Sequence, residues 1–182
     1  ERLYTEAKSK GIKDLFFLAR EGHYLKQLFD TYQKFNGLND EDYIKTHYFK
    51  ASRHSAKQVS LKPIEEEKFA PIKKNYDVMT TGQFLSSFNL NEDSILNIAN
   101  ELDIDKDLEI ENFSKNNKKF SVAYESHRIG QRNAFNNYLN SFNVDFKSDG
   151  MVLVDVGWGG TMQECIYEYL GGNVPVTGYY IG

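Results

Sequence analysis

Residues 152–166 read VLVDVGWGGTMQECI. An apolar run ends in Asp155, passes through Gly157, Trp158, Gly159 and Gly160, and opens a helical pattern at Thr161, which is the N-cap only in the purely structural reading of this turn. Strand, glycine turn and helix are followed by a second apolar run, VPVTGYYIG, at 174–182. A strand that reaches its next neighbour through a helix is a parallel crossover, and this unit therefore predicts an α/β fold.

The same pattern stands near the beginning of the chain. Asp14 to Ala19, DLFFLA, is continuously apolar after its first residue, as a parallel strand buried on both faces should be. It runs through Arg20–Glu21–Gly22 into HYLKQLFDTYQKF, where Tyr24, Leu25, Leu28, Phe29 and Tyr32 recur at helical spacing. A further strand is expected near Thr46 to Ala51, ending in SRHS, and residues 1–11 read as the end of a helix stopped by Gly11. Between these parts, SLKPIEEEKFAPIKKNYDV reads as irregular, TTGQFLSSFNL as a short helix, and NEDSILNIANELDI as a helix capped by Asp93 or Ser94. A longer helix is expected from about Ser114 to Phe142. The prediction is one Rossmann-like α/β domain over 1–182, with a largely parallel sheet flanked by helices and a helical insertion or cap over about 60–112. Both ends look cut from a longer multidomain polypeptide.

The chain has 182 residues, 40% hydrophobic and 26% charged, with a formal net charge of −4. That balance argues against nucleic-acid binding, which calls for a basic face. The single cysteine, Cys165, excludes an internal disulfide and fits a reducing compartment. No apolar run approaches the roughly 20 residues needed to span a bilayer, so a cytoplasmic protein is expected.

Ligands of parallel α/β sheets sit at the carboxyl ends of the strands, and here all three expected strand ends are polar. Arg20 can grip a phosphate or carboxylate bidentately, and Arg53 with Ser52 and Ser55 can form an anion pocket at the second strand. Glu21 is a general base, a metal ligand or the partner of Arg20; Gly22 and His23, which follow it into the helix, are further ligand-binding candidates. At the third strand end, Asp155 is the acid, and Gly157, Trp158, Gly159, Gly160 and Thr161 form a turn that can cradle an anion at a helix N-terminus. The competing structural reading is an Arg20–Asp155 ion pair tying two strand ends together. On the long helix, Glu125, Arg128 and Arg132 share one face; a solvated salt-bridged stripe is the default, with Arg128 as a further ligand candidate. The histidines show no metal-ligand spacing, so no metal residues are assigned; a magnesium ion shared between Asp155 and a ligand phosphate is left open.

Taken together, FFLAREGHYLKQLFD, YFKASRHSA, YESHRIGQRNAFNNYL and VLVDVGWGGTMQ followed by VTGYYIG resemble an uncharacterised bacterial domain. That domain occurs carboxyl-terminal to haloacid-dehalogenase-like hydrolase modules in predicted surface-polysaccharide proteins. The resemblance spans nearly the whole chain and places Arg20, Glu21, Gly22, Ser52, Arg53, Asp155, Gly157, Trp158, Gly160, Thr161 and Gln163 at signature positions. The dehalogenase nucleophile motif, Asp-x-Asp, is absent: Val156 and Gly157 follow Asp155. A fold-level likeness to type I phosphoribosyltransferases rests on the Arg-containing early loop and the glycine–threonine turn. These likenesses imply a phosphate-ligand-binding domain, a transferase or hydrolase acting on a nucleotide-sugar, sugar phosphate or phosphoribosyl compound, working beside adjacent domains of the same polypeptide. The alternative is a non-catalytic ligand-binding or docking module for an adjacent hydrolase or glycosyltransferase.

Overall fold

The computed structural model describes residues 1–73, 77–88, 90–114, 116–157 and 159–181, with the side chains of Pro71, Asn112 and Phe113 outside the description. In chain order the elements are α1 (Arg2–Ser9), β1 (Asp14–Leu18), α2 (Gly22–Phe35), β2 (Lys45–Phe49), α3 (Arg53–Val59), α4 (Ala70–Lys73), α5 (Thr81–Ser86), α6 (Glu92–Leu102), α7 (Ile110–Ser114), α8 (Lys118–Asn140), α9 (Phe146–Asp149), β3 (Met151–Val156), α10 (Thr161–Tyr169) and β4 (Val176–Ile181). The chain forms two compact units, one of residues 1–56 with 137–182 and the other of residues 57–136.

The first unit holds a parallel four-stranded sheet in the order β2-β1-β3-β4. This is the Rossmann-like α/β arrangement that the sequence predicts. The chain leaves β1 toward β2 on one side and β3 toward β4 on the other, so the order reverses between β1 and β3. Ligand crevices of open α/β sheets form outside such a switch point.

Alternation along the strands divides the core. Leu15 and Phe17 face one way with Val152 and Val154, against Ala7 and Phe29 of the flanking helices. Phe16 faces the other way, stacked on His47 at 4.6 Å and edge-on to Phe142 at 5.2 Å. Burial on both faces explains why β1 and β3 read as unbroken apolar runs rather than alternating ones. At the amino ends of the strands, polar groups are matched: His47 Nε2 lies 2.7 Å from Asp14 Oδ1. The fully buried Gln33 of α2 donates to Ile44 O at 3.1 Å and accepts from Ile44 N–H at 2.8 Å.

The second unit is helical around Phe69, Phe84, Ile110, Phe120 and Tyr124. Its loop at 62–69 is organised by Glu67, 3% exposed, whose carboxylate accepts from Lys62 N–H and Phe69 N–H, and by the Tyr124 hydroxyl, which donates to Lys62 O at 2.7 Å. The cap of α6 is Asn91, whose Oδ1 accepts from Ser94 N–H at 2.8 Å. This corrects the expected Asp93 or Ser94: the helix already begins at Glu92, which puts Asp93 and Ser94 inside its first turn and leaves Asn91 as the flanking residue whose side chain reaches the third amide. The stripe on α8 is also not a solvated one. Arg128 pairs with Glu125 at 2.7 Å, Glu125 accepts from Ile64 N–H at 2.8 Å, and Arg132 donates to Val59 O at 2.7 Å. These side chains satisfy backbone groups of the segment leading away from α3.

Candidate anion-binding site

Three strand ends of the first unit meet at the carboxyl edge of the sheet. Ala19 N–H continues the ladder by donating to Phe49 O at 3.1 Å, which holds the β1 exit beside the β2 exit. An open cleft of about 830 Å³ lies there, lined by Arg20 and Glu21 just beyond β1, by Tyr48 of β2, by Lys50 and Ser52 just beyond it, and by Arg53 at the start of α3. Arg20, Lys50 and Arg53 are exposed, and among the described residues none of their side chains makes a hydrogen bond or ion pair. The expected competing arrangement, an Arg20–Asp155 ion pair, is therefore not formed.

The backbone beneath these cations is held by groups other than the cations. Lys50 N–H donates to the Tyr138 hydroxyl at 2.7 Å. Ser52 and Ser55 cap α3 reciprocally: Ser55 N–H donates to Ser52 Oγ at 3.1 Å, and Ser52 N–H donates to Ser55 Oγ at 2.9 Å. The Ser55 hydroxyl donates in turn to Ser52 O at 2.9 Å. Ser52 thus lines the cleft with its hydroxyl committed to the cap. The SRHS stretch, read as the frayed end of a strand, is the start of a helix, and its S-x-x-S spacing is the capping signal.

Gly22 is buried rather than ligand-facing. A Cβ there would sit 2.7 Å from Phe17 C, so glycine lets α2 begin directly against β1. His23 follows on α2, its ring edge-on to Tyr48 at 5.3 Å, which extends the cleft wall.

At the end of β3, Asp155 is half-buried and its Oδ1 accepts from Val156 N–H at 2.8 Å. Burial raises its pKa; the Val156 N–H and the Arg53 guanidinium pull it back, and the charge of Glu21 pushes it up. The carboxylate thus feels groups from both other strand ends. Gly157 at φ +120° and Gly160 at φ +58° turn the chain into α10, conformations that a side chain disfavours. Gly160, not Thr161, occupies the cap position, because the left-handed residue brings the chain into the helix one position before the hydroxyl. Thr161 is the first helical residue and donates to Gly159 O at 3.4 Å. Trp158 lies outside the described residues.

The α10 end is braced from β4. The Tyr180 hydroxyl donates to Gln163 Oε1 at 2.6 Å, and Gln163 Nε2 donates to Val176 O at 2.7 Å. Tyr180 stands beside Asp155 in the strand register, and its hydroxyl lies near Gly160.

No family model and no curated protein matches this chain. Its chemistry must therefore be read from the site itself.

Two cleft residues were not singled out in the sequence, Lys50 and Tyr48. Lys50 is one residue beyond β2 and two before the helix cap, a position visible only once SRHS is read as a helix start. Arg128 belongs to the second unit and is held by Glu125. Among the described residues there is no group of three or more His, Cys, Asp or Glu placed to hold a metal ion, and no helix is long and apolar enough to cross a membrane.

Proposed function

We propose that this domain binds a phosphorylated small molecule at the carboxyl edge of its sheet and acts on it as a transferase or hydrolase. Its substrate class is a nucleotide-sugar, sugar phosphate or phosphoribosyl compound, in the surface-polysaccharide setting that the sequence resemblance implies. The observation that carries this reading is the cluster of Arg20, Lys50 and Arg53, without ion-pair partners among the described residues, beside the switch point of a parallel sheet.

In this reading, the two guanidiniums bind phosphate oxygens and neutralise charge that develops on them in the transition state. The glycine turn and the N-terminus of α10 supply backbone amides to a second anionic group. Asp155 is the proton acceptor for an incoming hydroxyl, since burial makes it more basic than an exposed carboxylate. Where a magnesium ion accompanies the ligand phosphate, Asp155 and Glu21 would be the carboxylates to share it, and its charge would relieve the repulsion between them.

A second reading keeps the site and drops the reaction. It is favoured by the Ser52 and Ser55 hydroxyls, which are bound to each other's cap and leave neither serine as an activated nucleophile. The domain would then present the ligand to an adjacent hydrolase or glycosyltransferase.

A thermal-shift panel of phosphate, nucleotides, nucleotide-sugars, sugar phosphates and phosphoribosyl pyrophosphate, with and without magnesium, tests both. A ligand at a hundred times its dissociation constant should add about 2.7 kcal/mol of stability, and the gain should vanish in Arg20→Ala. Turnover of that ligand, abolished in Asp155→Asn with binding retained, distinguishes the enzyme from the binding module. A panel that produces no shift overturns both readings.

A further inference from the structure

The cleft gathers three cationic side chains, more than the two guanidiniums that grip one phosphate group need. Arg20, Lys50 and Arg53 line it with a single lining carboxylate, Glu21, while Asp155 behind them feels Arg53, in a chain whose formal net charge is −4. The three cations come from two adjacent strand ends, so they are not a solvated stripe along one helix. Their backbone is fixed from beneath by the Lys50–Tyr138 bond and the Ser52–Ser55 cap. Elsewhere in the structure, lysines do find acids: exposed Lys10 pairs with Glu6 at 2.8 Å and half-buried Lys26 with Asp30 at 2.7 Å. In the cleft, three cations stand together with no such pairing among the described residues. Like charges gathered at one place repel each other, and an anion that reaches all of them relieves that repulsion.

We infer that the preferred ligand carries a diphosphate, with Arg20 and Arg53 gripping its oxygens in forked contacts and Lys50 as the third cation that sets diphosphate above monophosphate. This rests on the phosphate-site reading of the cleft. The roles differ by chemistry: a guanidinium matches two oxygens of one phosphate, whereas an ammonium acts as a point charge and serves whichever oxygen is left. A monophosphate satisfied by the two arginines leaves Lys50 without a partner. A diphosphate brings a second anionic group to it. Tyr48, with His23 edge-on against it, offers a flat wall beside the phosphates for the ring that a diphosphate links.

Isothermal titration of the 182-residue chain with inorganic phosphate and with inorganic pyrophosphate, at one fixed salt concentration, is the test. Pyrophosphate should bind at least about tenfold more tightly, the value of one added charge-assisted contact. Lys50→Ala should remove that advantage while changing phosphate affinity by less than about threefold. Lys45→Ala, at the other end of β2, is the charge control and should alter neither. Equal affinities for the two anions, or an equal loss for both in Lys50→Ala, would overturn the diphosphate inference and leave the phosphate site standing. An identical effect from Lys45→Ala would overturn it as well, reducing Lys50 to diffuse charge. Binding of neither anion would remove the inference together with the proposed site.

Discussion

Gly178 lies where a side chain would strike the Gln163 amide: a Cβ at this position would stand 2.5 Å from Gln163 Oε1 and 2.6 Å from the Tyr180 ring. The glycine gives Gln163 and Tyr180 room to bond across β4 and to brace the first turn of α10. Gly178→Ala is expected to destabilise the protein by about 1–3 kcal/mol through overpacking. In a Gln163→Ala background the penalty should shrink, and a double-mutant cycle by urea denaturation reads that coupling. Additive costs would mean that the two residues do not share the space.

Arg20 and Arg53 should be dispensable for folding. Each is exposed and neither pairs with a carboxylate among the described residues, so alanine at either position should move the melting temperature by no more than about 2 °C. Ligand-induced stabilisation should be lost in the same variants. A large fall in melting temperature for Arg20→Ala without ligand would restore the inter-strand ion pair as its role.

Burial raises the pKa of Asp155 above its value in the unfolded chain, so the folded protein keeps this proton over a window where the unfolded chain has released it. Stability from this group therefore falls as pH rises through the window, and the deficit persists above it. Asp155→Asn should be the more stable protein at neutral pH, with an advantage that fades on acidification below the ordinary carboxylate range. In carboxyl-carbon NMR titrations, Arg53→Ala should move the Asp155 midpoint upward and Glu21→Gln should move it downward. A midpoint indifferent to both would separate Asp155 electrostatically from the cleft.

Gln33→Leu should be costly despite its similar volume. It leaves both polar groups of the Ile44 peptide unit buried without the amide that serves them, a loss of about 2–4 kcal/mol. Chemical denaturation measures this directly. A neutral substitution would mean that water replaces the amide.

The second unit has its own test. Removing the buried carboxylate in Glu67→Ala should release the Lys62 and Phe69 amides together. Hydrogen exchange should then accelerate across 57–136 well beyond any change in β1 and β3. Uniform acceleration over both units would show that they open as one.

The sheet was legible in the sequence because its signals are local. Runs such as DLFFL and MVLVDV can be satisfied only by burial on both faces, and the glycine turn after Asp155 marks the strand-to-helix change. The start of α3 was missed because Ser52 and Ser55 are common residues whose reciprocal capping depends on the backbone geometry of Arg53 and His54. Lys50 escaped for a related reason: an exposed lysine after a strand is ordinary until the neighbouring exits are seen to converge. The pairing of β1 with β3, which brings Asp155 under the influence of Arg53 and Glu21, joins residues more than a hundred positions apart. No local periodicity reports such a juxtaposition.

The Tyr138–Lys50 bond has a practical consequence. Its acceptor is a phenol reached by the main chain, and the neighbouring serine cap likewise holds backbone, so residues 50–54 keep their path whatever side chains positions 50 and 53 carry. Combinatorial libraries at Arg20, Lys50 and Arg53 would then vary selectivity with little attrition from misfolding. If the proposed ligand is held there, such a rim would be an interchangeable cassette on a fixed chassis.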